Sequence, residues 1–269
     1  MLKTRIITAI VLVAVFIPAL FKLDTAVWAY CMLLLALLAL HEWAAIIQLS
    51  VSQRTVYLVS AALAGLFIVQ LMQQLGFHWF FYYSLNVFFI ITLFWLFAVP
   101  VWLAKKWRLN KLAMALLGLM LIASLWLALI CAKSADPWLL LCLLATIWIA
   151  DTAAYFAGKN FGKNKLAETI SPGKTWEGVL GAMTAVTVFG AVLYLGFDVK
   201  TLAIFPALWI IASFGVIGDL FESMLKRQAN IKDSGSLLPG HGGILDRIDG
   251  IIPSLPIAIL MIYLYNLSL

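Results

Sequence analysis

Apolar residues fall in runs of about twenty along almost the whole chain, broken by short polar segments. The runs cover roughly 6–22, 26–48, 56–75, 79–104, 110–131, 137–157, 178–197, 202–221 and 250–267. A helix of about 20 residues spans the roughly 30 Å hydrocarbon layer of a bilayer, so each run predicts a membrane-crossing helix. The expected fold class is therefore an all-α polytopic membrane protein with about nine transmembrane helices, forming one integral membrane domain over 1–269. The fourth run is long and contains Pro100, which predicts a tilt or a break there. The first run follows Lys3 and Arg5, as a signal peptide would, but it is long and lacks a small-x-small cleavage site. It reads as a retained first helix.

Composition agrees with this pattern. The chain is 65% hydrophobic and 11% charged, with a mean hydropathy of +1.06, whereas soluble domains carry about 25% charged residues. A net charge of +6 and a pI near 9.2 could signal nucleic acid, but the placement of the charges argues for topology instead. With the N-terminus in the cytoplasm, the inner segments hold Lys3, Arg5, Arg54, Lys105, Lys106, Arg108, Lys111, Lys159, Lys163, Lys165, Lys174, Lys226, Arg227, Lys232 and Arg247. The outer segments hold only Lys22, Lys133 and Lys200. This is the positive-inside pattern. It places the C-terminus outside and the two long polar loops, 158–177 and 222–249, in the cytoplasm, and no nucleic-acid partner is expected. Cys31, Cys131 and Cys142 lie in apolar runs without metal-ligand spacing and read as small apolar side chains, not disulfides.

Acidic residues in or beside such runs are costly and point to function. Glu42 and Asp151 each lie about six residues before the inner end of a run, roughly 9 Å at 1.5 Å per residue. Glu42, with His41 beside it, reads equally well as a structural polar contact. Asp219 ends the eighth run, and Asp246 and Asp249 open the ninth. If the eighth helix continues past 221, Asp219, Glu222, Ser223 and Lys226 share one face. Gly240-His241-Gly242-Gly243 precedes Asp246; its glycines permit positive φ, and a helix opening after them would offer N–H groups to a phosphate. In the other loop, Gly173-Lys174-Thr175 suggests a P-loop, but Glu168 stands where that motif requires glycine. Ser171-Pro172 with Glu177 could cap the next helix, and Lys174 is a candidate phosphate ligand. His78 and the many tryptophans read as interfacial residues. Hard oxygen ligands without clustered Cys or His favour Mg²⁺ or Mn²⁺ over zinc. Aspartates holding such ions could neutralise a leaving pyrophosphate, with Lys226, Arg227, Lys232 and Arg247 offsetting the remaining phosphate charge.

The segment Ser223, Lys226-Arg227, Lys232-Asp233, His241-Gly242-Gly243 and Asp246-Arg247-Ile248-Asp249 resembles the signature of phosphatidate cytidylyltransferases (CDP-diacylglycerol synthases). Residues 171–178 and Asp151-Thr152-Ala153-Ala154-Tyr155 also look like that family. The resemblance implies CTP and phosphatidate as substrates, CDP-diacylglycerol and pyrophosphate as products, and Mg²⁺, with room for a second cation. It implies Asp219, Asp246 and Asp249 as metal ligands, and Asp246, Asp219, Lys226 and Arg227 as catalytic residues. Substrate contacts are implied for Asp151, Ser171, Lys174, Ser223, Lys232, Asp233, His241, Gly242, Gly243 and Arg247. On this reading 1–135 supplies N-terminal helices and 136–269 the catalytic ones, in the cytoplasmic (inner) membrane, with a homodimer as an expected partner. A CDP-alcohol phosphotransferase would need further aspartates after Asp249-Gly250, where Ile251-Ile252 stands. A cation transporter would need paired broken helices near the midplane and no basic loop of phosphate-binding character.

Overall fold

The computed structural model describes residues 2–197, 199, 201–237, 240 and 242–267, with side chains from Ile7 onward except that of Ala9. His241 and Lys200 lie outside the described residues. The chain forms α1 (Leu2–Lys22), α2 (Thr25–Ile46), α3 (Val51–Leu75), α4 (Phe77–Leu93), α5 (Val99–Lys105), α6 (Lys111–Ala135) and α7 (Pro137–Phe161). A hairpin of β1 (Lys165–Ala167) and β2 (Ser171–Thr175) follows, then α8 (Trp176–Gly196), α9 (Ile204–Gln228), α10 (Leu245–Ile248) and α11 (Ile251–Leu267).

Among the described residues, eight helices are long and apolar enough to cross a membrane, counting α4–α5 and α10–α11 as one span each. With α1 beside them, this matches the apolar runs, and the chain is a multi-pass membrane protein. Polar residues set the starts. Asp24, Ser50, Asn110, Asp136 and Thr175 each accept a backbone N–H from the first turn of the helix that follows, satisfying donors that would otherwise be orphaned. The cap of α8 is thus Thr175, not Ser171, which lies in β2. The break expected at Pro100 comes just before it, as a π-helical turn over Phe94–Ala98, a common way to absorb a proline's missing N–H.

Helix α6 is apolar all round and largely enclosed by α2, α4, α7 and α11. Indoles lock it to α2: Trp28 Nε1 donates to Leu129 O at 3.1 Å, Trp43 Nε1 to Met114 O at 2.8 Å and Trp126 Nε1 to Ala29 O at 3.0 Å. Tyr57 on α3 adds a bond to Ala115 O. These tryptophans are buried, contrary to their interfacial reading, and their N–H groups use main-chain acceptors where lipid offers none. A second apolar cluster, Ala150, Ala182, Val186, Leu208 and Ala212, joins α7, α8 and α9, its three alanines allowing the close helix approach common in lipid.

The loops predicted to be inner meet at one end of the bundle. Lys111 Nζ bonds Gln48 O, Lys106 Nζ bonds Thr169 Oγ1, and Gln228 Nε2 reaches the carbonyls of Lys106 and Trp107. At the other end Lys133 Nζ bonds Leu23 O, and Thr201 Oγ1 lies 2.9 Å from Tyr265 OH. The three cysteines are free thiols.

Candidate active site

Helix α9 runs nine residues beyond Asp219, and α7 ten beyond Asp151. Both acids therefore sit more than two turns inside their helices, deeper than the hydropathy boundaries suggested. The continuation of α9 does what the three- and four-residue spacing predicted. Ser223 Oγ donates to Asp219 Oδ1 at 3.2 Å, and Lys226 Nζ lies 2.6 Å from Glu222 Oε2.

Two lysines organise the acids. Lys174 on β2 pairs with Asp219 Oδ2 at 2.6 Å, tying the hairpin to the middle of α9. Lys226 holds Glu222 on its own helix and Asp246 Oδ1 on α10, the latter at 2.5 Å. The Asp246 carboxylate also accepts the N–H of Ser234, at 3.0 Å to Oδ2, and that of Gly243 at 2.9 Å. Asp249 follows α10, accepts the N–H of Gly250 at 2.7 Å, and lies close enough to Asp219 and Glu222 to feel their charge. Asp151, on the exposed flank of α7, similarly feels Asp219 and Lys174. A shallow apolar groove lined by Ala145, Trp148, Ile149, Thr152, Ala153 and Ala185 lies between α7 and α8.

The close approach of α9 to the start of α11 depends on Gly218. A Cβ there would run into the Asp249 carbonyl and the Pro253 ring, so glycine is what lets α9 lie against the turn that carries Asp249.

Asp151, Asp219, Glu222, Asp246 and Asp249 thus form a connected acidic array, balanced by Lys174 and Lys226 alone among the pairings described. Among the described residues no three His, Cys, Asp or Glu side chains form a ready-made metal cluster. The charge inventory nevertheless fits added cations, because five neighbouring carboxylates are matched by two lysines, and unbalanced charge in a membrane protein needs neutralisation. Around this centre Arg227, Lys232, Asp233 and Arg247 are exposed, and Ser171 opens β2 three residues before Lys174. Gly242 adopts φ +82°, as the Gly-rich stretch predicted.

One expectation is corrected. The amides at the start of α10 are already taken by protein acceptors: Ile244 N and Leu245 N donate to Glu42, at 3.0 and 2.8 Å, Asp246 N to Ser234 Oγ at 3.3 Å, and Gly243 N to Asp246. They do not stand open for a phosphate. Ser234, with nothing in the sequence to single it out, is buried at the centre of this network.

Lysine-bridged carboxylates in a polytopic membrane protein, with exposed basic residues on the adjoining segments, fit the class of enzymes that handle phosphate groups at a membrane. Comparison with known proteins specifies the class: residues 3–265 match the model of the cytidylyltransferase family, and the chain belongs to that family of nucleotidyltransferases. It is 34% identical to a phosphatidate cytidylyltransferase of Pseudomonas aeruginosa over 96% of this chain and 95% of that one. The phosphatidate cytidylyltransferase of Haemophilus influenzae is 32% identical, covering 95% and 96% of the two chains. That of Staphylococcus saprophyticus is 32% identical, covering 95% and 97%.

Proposed function

We infer that the chain transfers the cytidylyl group of CTP to phosphatidate, giving CDP-diacylglycerol and pyrophosphate. The observation that carries the reading is the Lys226 bridge between Glu222 and Asp246, set beside the Lys174–Asp219 pair within a full-length match to phosphatidate cytidylyltransferases. In the reaction an oxygen of the lipid phosphate attacks the α-phosphorus of CTP. The bond from that phosphorus to the α–β bridging oxygen breaks, and pyrophosphate carries the electron pair away. The acceptor is already anionic, so no protein nucleophile is needed, and catalysis is a matter of placement and charge.

Lys174 and Lys226 stand where two phosphate groups could replace the carboxylates they now hold. Arg227, Lys232 and Arg247 lie at the rim, suited to the outer phosphates. The acid excess suits Mg²⁺ or Mn²⁺ held by Asp219, Asp246 and Asp249, with Asp151 and Glu222 near enough to favour a second cation. When bound, such ions would neutralise charge on the triphosphate. The remaining protein groups orient the reactants: Ser223 steadies Asp219, and the hairpin delivers Lys174. We further propose that this end of the bundle faces the cytoplasm, in a cytoplasmic membrane, because the basic loops gather there and CTP is supplied there.

Detergent-purified protein should form CDP-diacylglycerol from CTP and phosphatidate with Mg²⁺ and stop when the metal is chelated. Folded protein that makes none across several phosphatidates and both metals would overturn the assignment.

A further inference from the structure

Glu42 sits on α2, far in sequence from the signature segment and 2% exposed. A carboxylate so deeply enclosed is tolerable only if its acceptor positions are filled. The donors filling them all come from the loop and helix start that carry Asp246. Ser234 Oγ donates to Oε2 at 2.9 Å, Leu245 N to Oε2 at 2.8 Å and Ile244 N to Oε1 at 3.0 Å. Ser234 passes the contact on: its own N–H reaches the Asp246 carboxylate, and its Oγ accepts the Asp246 N–H. The fit leaves no slack. A Cβ on Gly243 would run into Ser234 Oγ and Glu42 Oε2, and one on Gly235 would lie 2.5 Å from Glu42 Oε1. The glycines flanking this loop are thus shaped around the Glu42 side chain. Helix α2 is itself pinned to α6 by Trp28, Trp43 and Trp126, so Glu42 is presented from a rigid element.

We propose that Glu42 is a positioning residue for the transfer reaction: through Ser234 and the first amides of α10 it fixes where the Asp246 carboxylate points. The proposal rests on the functional reading above. It assigns the N-terminal helices a part in the site, where the signature segment alone would make them scaffold. It also requires an acid. Glutamine has the same shape, but its NH₂ group would meet an N–H or O–H donor, turning acceptance into a donor–donor clash at one of the two oxygens.

The test compares wild type with Glu42→Gln in purified protein, following product formation against Mg²⁺ and amide hydrogen exchange along the chain. Glu42→Gln should lower kcat at least tenfold and raise the half-activating Mg²⁺ concentration about fivefold or more. Exchange should quicken over 232–247 while the interiors of α6 and α9 stay as slow as in wild type. An unchanged Mg²⁺ dependence, or exchange that rises throughout α2 and α6, would leave Glu42 a packing residue and overturn the proposal. If Glu42→Gln does not fold, Ser234→Ala takes its place, since it removes the relay and keeps the two amide bonds to Glu42. It should shift the Mg²⁺ dependence in the same direction by a smaller factor, and no shift would be equally fatal. Wild-type protein without turnover would overturn the assigned reaction instead, and the exchange pattern alone would then decide the tether.

Discussion

Lys226 reaches two carboxylates from one side chain, and the two would fare differently without it. Asp246 keeps the amides of Ser234 and Gly243. Glu222 is buried, and Lys226 is the cation that faces it. Breaking a buried pair by removing one partner costs about 3–5 kcal/mol, because the remaining charge is stranded. Lys226→Met should therefore lose turnover and also unfold at lower temperature. Adding Glu222→Gln should recover much of the stability without restoring turnover. Thermal unfolding beside the product assay separates the two, and a Lys226→Met protein as stable as wild type would contradict the stranded-charge account. At this scale the sequence made much visible. Acids and lysines in an apolar chain are conspicuous, and the three- and four-residue spacing on α9 announced the Ser223–Asp219 and Lys226–Glu222 contacts. Ser234 was not legible, since one serine in a polar loop looks like any other. Glu42 was open to reading as a structural polar contact, which its hydrogen bonds bear out, but its partners could not be named because they lie 192, 202 and 203 positions away.

Whole helices were legible for a simple reason: lipid demands continuous apolar runs, and periodicity hardly matters when most faces are buried or greasy. Their ends were less so. Residues 222–228 of α9 and 158–161 of α7 are too polar to register as spans, yet they remain helical, and this is what sets Asp151 and Asp219 more than two turns from the ends of their helices. The β1–β2 hairpin hid behind Ser-Pro-Gly-Lys-Thr, which has the look of a turn. Helix separation, by contrast, can be tested directly. Gly218→Ala should force α9 from the start of α11, costing on the order of 1–3 kcal/mol as overpacking does, and activity should fall with it. Gly196→Ala, where an added Cβ meets nothing within 4 Å, should change neither property. Equal behaviour of the two variants in unfolding and turnover would dismiss the close-approach argument.

Across the whole molecule, the charge bias of the loops and the contacts among them make one statement from independent sources: Arg54, Lys106, Lys111 and Lys226 all belong to segments that gather at a single end. The orientation of that end is open to direct chemical test. In a background with the three native cysteines replaced, Glu168→Cys should react with a membrane-impermeant maleimide only after the cells are opened. Leu202→Cys should react in intact cells once any outer barrier is permeabilised. The reverse pattern would invert the topology and remove the site from the nucleotide pool.

The exposed flank of α7 has a consequence for how the enzyme would be supplied. On the proposed reaction, a phosphatidate taken up through the open apolar groove between α7 and α8 need never leave its leaflet. Its effective concentration is then a number per unit area. Crowding the leaflet with other lipids would starve the enzyme even when the total amount of substrate in the cell is unchanged, and the rate would follow the make-up of the membrane.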